Sequence, residues 1–186
     1  MENNTAAIHK QMVLITGGAR SGKSRYAQEM ALNHSQNPVY VATAKVYEND
    51  TAFRERVQHH KQDRDERWTS MEELFYVSRL PLEGRVVVID CVTLWLSNFF
   101  SLHKYDISLT LEALKKEIDA IKKIDAQIII ISNEIGMGVH AETEMGRKFT
   151  DLQGWANQYI AAQANQVIFM VSGIPLMVKN QSSYGA

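Results

Sequence analysis

Cysteine is almost absent from this sequence, which contains only Cys91 among its 186 residues. One cysteine cannot form an internal disulfide and has no partner at metal-site spacing, so a disulfide-stabilised fold and a cysteine-based zinc site are excluded. No apolar run approaches the length of a membrane span. Residues 1–11 are polar and lack the apolar core of a signal peptide. These absences favour a cytoplasmic location.

An excess of one charge is also missing. The 20 Lys and Arg residues nearly balance the 21 Asp and Glu residues, and the formal net charge is -1. Nothing in this balance suggests nucleic acid or an anionic membrane as the main partner. The three prolines are scattered, and the sequence has no internal repeat, low-complexity tract or evident linker. We therefore expect a single domain over residues 1–186, with loose tails at 1–11 and 181–186.

One strong motif is present, the stretch GGARSGKS that begins at Gly17. It fits the phosphate-loop pattern GxxxxGK[S/T], with an apolar run before it that predicts a strand and residues after it that predict a helix at 23–34. Such a loop turns backbone N–H groups toward phosphate, while its lysine reaches the outer phosphates and its serine can hold Mg²⁺. A glycine-rich turn with a chance Lys-Ser is the weaker alternative. The predicted nucleotide contacts are Gly17, Gly18, Ala19, Arg20, Ser21, Gly22, Lys23 and Ser24.

Further apolar runs alternate with stretches of helical periodicity. Continuous aliphatic runs are typical of parallel strands that helices cover on both faces. The pattern therefore predicts an α/β fold of the P-loop NTPase (RecA-like) kind, with a mainly parallel sheet, helices on both faces and ligands at the carboxyl ends of the strands. The predicted strands cover 12–16, 39–42, 86–89, 128–131 and 167–171, and the predicted helices cover 23–34, 51–65, 93–102, 107–123 and 143–164.

Polar residues follow two of the predicted strands. Asp90 ends the run RVVVID and is predicted to be the Mg²⁺-associated carboxylate that a phosphate-loop enzyme needs, the alternative being a cap for the next helix. Asn133 and Glu134 follow the strand at 128–131 in the same way. For that pair, an ordinary strand-to-helix loop is an equally good interpretation.

Two adjacent histidines, His59 and His60, lie in a highly charged segment at 54–64. A neutral imidazole can attack phosphorus, and neighbouring cations would attract a nucleotide. Taken alone, the segment is more typical of a solvated helix face, and the histidines lack the i, i+4 spacing of a helical zinc pair. Lys179 could contact a phosphate or lie along the surface, and its role stays open.

These motifs together resemble the bifunctional adenosylcobinamide kinase/adenosylcobinamide-phosphate guanylyltransferase family of cobalamin biosynthesis. The resemblance extends from about residue 12 to residue 179 and keeps the family's order of signatures. The matching segments are ITGGARSGKSRYAQ (15–28), YVATA (40–44), RVQHHKQDR (56–64), DCVTLWLSN (90–98), SNEIGMGVHAE (132–142), GRKFTDLQGWANQYIA (146–161) and VSGIPLMVK (171–179).

The resemblance implies roles for residues that spacing alone leaves undecided. In the family, the first histidine of the HHK run takes GMP onto its imidazole, and that position here is His59. One departure is Phe53, which stands where the family often has a methionine and is expected to replace it as an apolar helix anchor. Further nucleotide contacts are implied at Thr43, Ala44, Lys45, His60, Lys61, Gln62, Asp63, Glu72 and Asp90.

Two reactions are implied. A nucleoside triphosphate phosphorylates the aminopropanol hydroxyl of adenosylcobinamide, with Lys23 as a catalytic residue and Mg²⁺ on Ser24 and Asp90. His59 then attacks the α-phosphate of GTP, and the cobinamide phosphate takes GMP from it to give adenosyl-GDP-cobinamide. The resemblance also implies GTP as a cofactor with ATP as a possible phosphate donor, a corrinoid substrate, and a homo-oligomer, by family a trimer, with a corrinoid groove between subunits.

Three other functions remain open from the residues. A monofunctional small-molecule kinase would need the phosphate loop but not His59. A transferase without kinase activity would need His59. A noncatalytic GTP-binding regulator would bind the nucleotide without forming a covalent adduct between protein and GMP.

Overall fold

A computed structural model describes residues 10–45, residue 55 and residues 64–181. Within these ranges the chain forms seven strands, four α-helices and a short 3-10 helix at Val77–Arg79. The strands are β1 (Gln11–Gly17), β2 (Val39–Ala42), β3 (Thr69–Glu72), β4 (Val86–Asp90), β5 (Gln127–Asn133), β6 (Gln166–Val171) and β7 (Ile174–Asn180). The helices are α1 (Lys23–His34), α2 (Val92–Leu102), α3 (Ile107–Ile121) and α4 (Glu144–Gln163).

All seven strands join one sheet in the order β3-β2-β4-β5-β1-β6-β7. The first six strands in the chain run parallel to one another, and only β7 is antiparallel, paired with β6. Gly17 at the end of β1 lies opposite Asn133, and Ala42 at the end of β2 lies opposite Asp90. The carboxyl ends of these four strands therefore meet along one edge of the sheet.

The sheet separates two hydrophobic clusters. On one face, α2, α3 and α4 pack through buried residues such as Trp95, Leu114 and Ile160. On the other face, α1 packs through Ala27 and Ala31. Neighbouring residues of a strand point to opposite faces, so a strand covered on both sides is apolar throughout.

Polar side chains fix the starts of two of these helices. Asp106 precedes α3 and accepts a hydrogen bond from the backbone N–H of Leu109 at 2.8 Å. Thr143 precedes α4 and accepts one from the N–H of Gly146 at 3.0 Å. Each side chain satisfies a donor that the first helical turn leaves without a partner. In the part of the chain described here, no helix is both long and apolar enough to cross a membrane.

The predicted α/β fold with a mainly parallel sheet and helices on both faces is confirmed. The predicted strands and four of the predicted helices are present with ends that shift by at most two residues. The helix predicted at 51–65 falls largely outside the described residues. Two strands, β3 and β7, were not predicted, because both lie at the edges of the sheet and carry mostly exposed side chains. Pro175 lies inside β7, where an edge position tolerates proline.

Candidate active site

The phosphate loop connects β1 to α1 at the carboxyl edge of the sheet. Gly17 has φ of 150° and packs so closely on β6 that a Cβ there would lie 2.5 Å from the carbonyl oxygen of Met170. Gly22 has φ of 91° and immediately precedes α1. Only glycine meets the steric demand at Gly17, and glycine best fits the left-handed backbone at Gly22. The loop thus places the N-terminus of α1 where it can receive an anion.

Lys23 is the first residue of α1, and its side chain is buried. The ammonium folds back over the loop and donates to the carbonyl oxygen of Gly18 at 2.5 Å and to Oγ of Ser21 at 3.4 Å. Burial lowers the pKa of Lys23, while the nearby Cys91 and Asp90 groups act in the opposite direction. These neutral partners satisfy an ammonium less strongly than a phosphate oxygen would, because hydrogen bonds between charged groups are the stronger ones.

Ser24, Asp90 and Tyr40 form a second cluster next to this loop. The Ser24 hydroxyl donates to Oδ2 of Asp90 at 2.9 Å, and the Tyr40 hydroxyl donates to the same oxygen at 2.6 Å. Because Ser24 directs its proton toward the carboxylate, the lone pairs of its oxygen stay available to a cation. A hydroxyl and a carboxylate are the hard oxygen ligands that Mg²⁺ prefers, so this pair fits the predicted metal position.

The alternative role for Asp90, capping the helix that follows, finds no support. The residue that precedes the first turn of α2 is Cys91, and its side chain makes no capping hydrogen bond. The carboxylate of Asp90 instead accepts from the hydroxyls of α1 and β2. Burial, and then the charge of Asp90, raises the pKa of Tyr40 well above its usual value. The tyrosine therefore keeps its proton and remains a donor.

Thr43 follows β2 and joins three neighbouring elements. Its N–H donates to the carbonyl oxygen of Asp90 at 3.0 Å, and its hydroxyl donates to that of Cys91 at 2.8 Å. Its own carbonyl accepts from the side chain of Asn98 at 2.7 Å. The side chain is fully buried, so these bonds hold β2, β4 and α2 together. A nucleotide contact at Thr43 stays a prediction.

The other residues near this strand end for which the resemblance implies nucleotide contacts are more exposed to solvent than Thr43. Ala44 is half-buried and Lys45 is exposed directly after Thr43. Glu72 ends β3 with an exposed side chain, opposite Ala42 in the sheet. All three lie near the carboxyl ends of β2 and β3, on the side of the sheet edge away from β1. Their roles in nucleotide binding also stay predictions.

The end of β5 is tied to the phosphate loop and to the helices behind it. The N–H of Glu134 donates to the carbonyl oxygen of Gly17 at 3.0 Å, while the Glu134 carboxylate accepts from the N–H of Gly136 at 2.8 Å. The amide of Asn133 donates to Oγ1 of Thr93 on α2 at 3.0 Å. Of the two residues that the sequence left undecided, Glu134 thus ties the end of β5 to the phosphate loop, and Asn133 ties it to α2.

A buried polar network lies behind that strand end, and the sequence did not predict it. The hydroxyl of Ser132 donates to Oδ1 of Asn157 at 2.5 Å, and the amide of Gln153 donates to both groups at 3.0 Å. Asn157 in turn donates to the carbonyl oxygen of Asn133 at 3.1 Å. The only sign of this network in the sequence is that polar residues lie on one face of the long helix α4.

The histidine segment falls largely outside the described residues. His59, His60, Lys61, Gln62 and Asp63 all lie there. Arg64 is the first described residue after them, and its guanidinium carbon lies 3.9 Å from the centre of the Tyr40 ring. Its Nε also donates to Oγ of Ser70 at 3.3 Å. The carboxyl end of the histidine segment is therefore anchored on the tyrosine that donates to Asp90.

Lys179 lies on β7, and its ammonium donates to the carbonyl oxygens of Ala161 and Ala162 at 2.9 and 3.1 Å. These carbonyls belong to the last turn of α4 and have no partner within the helix, and a cation stabilises that end of the helix dipole. In this structure the lysine has a stabilising role rather than a place near the phosphate loop.

Comparison with known proteins gives a consistent result. The model of the family described as cobinamide kinase / cobinamide phosphate guanyltransferase matches residues 13–178. The bifunctional adenosylcobalamin biosynthesis protein CobU of Escherichia coli (strain K12) is 34% identical over 185 residues, which cover 90% of this chain and 99% of that protein. The bifunctional adenosylcobalamin biosynthesis protein CobP of Pseudomonas aeruginosa is 35% identical over 173 residues, which cover 90% of this chain and 97% of that protein.

Among solved structures, the flagellar accessory protein FlaH from Methanocaldococcus jannaschii is similar with a TM-score of 0.49 and 14% identity, and the match covers 96% of this chain and 82% of that one.

Proposed function

The chain belongs to the cobinamide kinase / cobinamide phosphate guanyltransferase family, and we propose that it is an enzyme of cobalamin biosynthesis that catalyses both reactions named there. Membership confirms the resemblance found in the sequence. The observation that carries the proposal is the family match over residues 13–178 combined with one cluster that contains Lys23, Ser24 and Asp90.

In the proposed kinase reaction, the phosphate loop binds a nucleoside triphosphate, GTP or ATP. The hydroxyl of the aminopropanol group of adenosylcobinamide attacks the γ-phosphorus, and the bond from that phosphorus to the β-phosphate bridging oxygen breaks. Lys23 and the loop N–H groups donate to phosphate oxygens on which negative charge develops. Ser24 and Asp90 would hold Mg²⁺, and the bound cation would supply further neutralisation of that charge.

In the proposed transferase reaction, the imidazole of His59 attacks the α-phosphorus of GTP. A nitrogen–phosphorus bond forms and pyrophosphate leaves. An oxygen of the cobinamide phosphate then attacks the same phosphorus, the protonated imidazole leaves, and adenosyl-GDP-cobinamide is the product. Contacts from the loop at Gly17 to Ser24, and from His60 to Asp63, would bind the nucleotide in both steps.

The position of Arg64 supports a single site for both reactions. Arg64 packs on Tyr40, Tyr40 donates to Asp90, and Asp90 accepts from Ser24. Arg64 comes five positions after His59 in the chain, so at most about 18 Å of extended chain connects His59 to a residue of this cluster. We also propose a homo-oligomer, with a trimer as the form that the family suggests.

An experiment with two differently labelled forms of GTP tests the proposal. Adenosylcobinamide is incubated with the protein and GTP that is labelled either at the γ-phosphate or at the α-phosphate. Both labels should reach the corrinoid, and the α label should also appear on denatured protein when the corrinoid is left out. Transfer of the γ label alone would identify a monofunctional kinase, and binding without transfer of either label would identify a regulator.

A further inference from the structure

The turn between β6 and β7 packs directly against the phosphate loop. It consists of Ser172, with φ of 52°, and Gly173, with φ of 84°, the left-handed backbone that a two-residue type I′ turn requires. The N–H of Gly173 donates to the carbonyl oxygen of Ser21 at 3.0 Å. A Cβ at Gly22 would lie only 3.3 Å from the Cα of Gly173. The hairpin of β6 and β7 is therefore held against the loop at a fixed place.

This turn also lies near the group that marks the outer phosphates. The ammonium of Lys23 is 3.4 Å from Oγ of Ser21, and Ser21 is the residue whose carbonyl oxygen holds the turn. The lysine of a phosphate loop reaches the β- and γ-phosphates of a bound nucleotide. A substrate bound along the hairpin would therefore have one end close to the phosphoryl group that is transferred.

The strand order leaves this side of the loop to a second substrate. Among the residues that the structure describes, the predicted nucleotide contacts outside the loop lie at or just after the ends of β2, β3 and β4, and they are Thr43, Ala44, Lys45, Glu72 and Asp90. In the sheet, those three strands lie on one side of β1, and the hairpin lies on the other side. The proposed kinase reaction needs an acceptor beside the nucleotide, and the hairpin side is open to it.

The hairpin presents exposed apolar side chains next to the loop. Val171 lies opposite Ile174, and Phe169 lies opposite Leu176, so all four project from one face of the hairpin. Ile174, Leu176 and Val171 are 69%, 58% and 48% exposed. Single exposed apolar side chains are ordinary, whereas an adjacent group of them marks an interaction or ligand surface. We call these four residues the apolar face of the hairpin.

The outer edge of β7 offers polar groups beside the apolar face. In the described part of the sheet, β7 is the last strand and pairs only with β6, so the backbone N–H and C=O groups on its other edge are not used by the sheet. A ligand that fits both features has a broad apolar surface with donors and acceptors at its rim. Adenosylcobinamide has this chemistry, because its corrin macrocycle carries amide side chains around its edge.

We infer that the apolar face of the β6–β7 hairpin binds the corrin ring of adenosylcobinamide, so that the aminopropanol arm reaches over the turn to the nucleotide in the phosphate loop. This inference rests on the proposed function and adds to it the location of the acceptor site. A second copy of this chain is the other occupant that an exposed edge strand can bind, and the experiment separates the two.

Two variants and a matched control test the inference. Ile174→Ser and Leu176→Ser each remove an apolar side chain from the proposed ring contact. The control is Met177→Ser, because Met177 is 48% exposed on the same strand but lies opposite Ile168, on the other face of the hairpin. The measurements are the KM for adenosylcobinamide at saturating GTP, the dissociation constant of adenosylcobinamide without nucleotide, and the rate of self-guanylylation, which needs no corrinoid.

Ile174→Ser and Leu176→Ser should each raise the KM and the dissociation constant for adenosylcobinamide about tenfold, because the burial of an aliphatic side chain against the ligand is lost. The rate of self-guanylylation and the KM for GTP should stay within about twofold. Met177→Ser should behave as the wild type does. Since all three side chains are exposed, the unfolding temperature should change little in any variant.

Unchanged affinity for adenosylcobinamide in Ile174→Ser or Leu176→Ser, or an equal loss in Met177→Ser, would overturn the inference. Sedimentation velocity on the same proteins tests the other occupant. A smaller particle in Ile174→Ser or Leu176→Ser than in the wild type would assign the hairpin to a contact between copies and would also overturn it.

The proposed function can fail separately. If wild-type protein transfers no γ label from GTP to adenosylcobinamide, the proposed kinase function is wrong and the inference falls with it. If the wild type transfers the label and both serine variants bind adenosylcobinamide as tightly as it does, only the location of the acceptor site is wrong.

Discussion

The neighbouring strands β4 and β5 end at the same edge of the sheet, yet their polar side chains face different partners. Asp90 at the end of β4 accepts from two hydroxyls beside the phosphate loop. Ser132 near the end of β5 bonds instead into an amide network with Gln153 and Asn157 on α4. The first arrangement leaves ligand atoms for a cation, while the second uses its donors internally. Position at the carboxyl edge therefore does not by itself make a residue functional.

The largest effect on activity should come from the phosphate loop itself. Lys23→Ala removes the ammonium and is expected to reduce phosphorylation of adenosylcobinamide by at least about 100-fold, since a donor to the transferred group is lost. Because burial lowers the pKa of Lys23, burying the ammonium is unfavourable, and the thermal unfolding temperature should not fall. Both quantities are measured on the purified variant.

Lys10→Ala is the matched control, because Lys10 also donates to a backbone carbonyl, that of Lys123 at 2.9 Å, but at the opposite end of β1. It should retain full activity. Near-normal turnover by Lys23→Ala would remove the loop lysine from the mechanism.

Asp90→Asn tests the functional side of the comparison between β4 and β5. The amide keeps an acceptor for the hydroxyls but loses the negative charge, so turnover at limiting Mg²⁺ is expected to fall by about 10- to 100-fold, as for other changes to metal-site groups. The unfolding temperature should change by only a few degrees. A large fall in unfolding temperature with unchanged specific activity would show that Asp90 has a structural role instead.

Asn157→Ala tests the structural side of the same comparison. It leaves Ser132 and Gln153 without their shared acceptor, and a buried polar group without a partner costs about 1–3 kcal/mol of the free energy of unfolding. Specific activity of the folded protein should stay within about threefold, because the network contacts no proposed ligand atom. Denaturant unfolding and kinase assays measure the two effects.

Gln158→Ala, on the exposed face of the same helix, serves as the control and should change neither quantity. Loss of activity in Asn157→Ala without loss of stability would mean that the end of β5 has a functional role that the hydrogen bonds do not suggest.

The smallest effect is expected from chemical modification of the thiol of Cys91, the residue that directly follows β4. Burial, and then the charge of Asp90, raises the pKa of the Cys91 thiol to about 12. The nucleophilic thiolate is therefore scarce at pH 8, and iodoacetamide should not modify the folded protein, although it should modify the denatured protein readily. Mass spectrometry after a timed exposure checks this, and rapid labelling of folded protein would contradict the packing around Asp90.

Much of this architecture was predictable from the sequence. The strands β1, β2, β4, β5 and β6 are buried on both faces, so their continuous aliphatic runs identify them. The polar strand β3 and the exposed strand β7 lack that signal, because pairing rather than burial defines an edge strand. The phosphate-loop motif likewise located Lys23 and Ser24 and, through the chemistry they require, Asp90.

Residues that act through long-range contacts were not predictable. Tyr40 looks like an ordinary apolar strand residue, and its partner Asp90 is 50 positions away in the chain. Thr43 matched a family contact, but its side chain turned out to be buried against Cys91. In both cases the polar atom's partner is set by the register between β2 and β4, which one sequence does not reveal.

The measurement that tests the central claim most directly is the location of GMP on the protein. Protein incubated with GTP and Mg²⁺ is digested, and the modified peptide is mapped by mass spectrometry under conditions that keep the acid-labile nitrogen–phosphorus bond intact. We expect GMP on His59, no adduct in His59→Ala, and an unchanged site of modification in His60→Ala. In the helix that the sequence predicts at 51–65, adjacent residues would point about 100° apart, so only one of the two imidazoles is expected to face the α-phosphate. GMP on His60, or an adduct that persists in His59→Ala, would contradict the account.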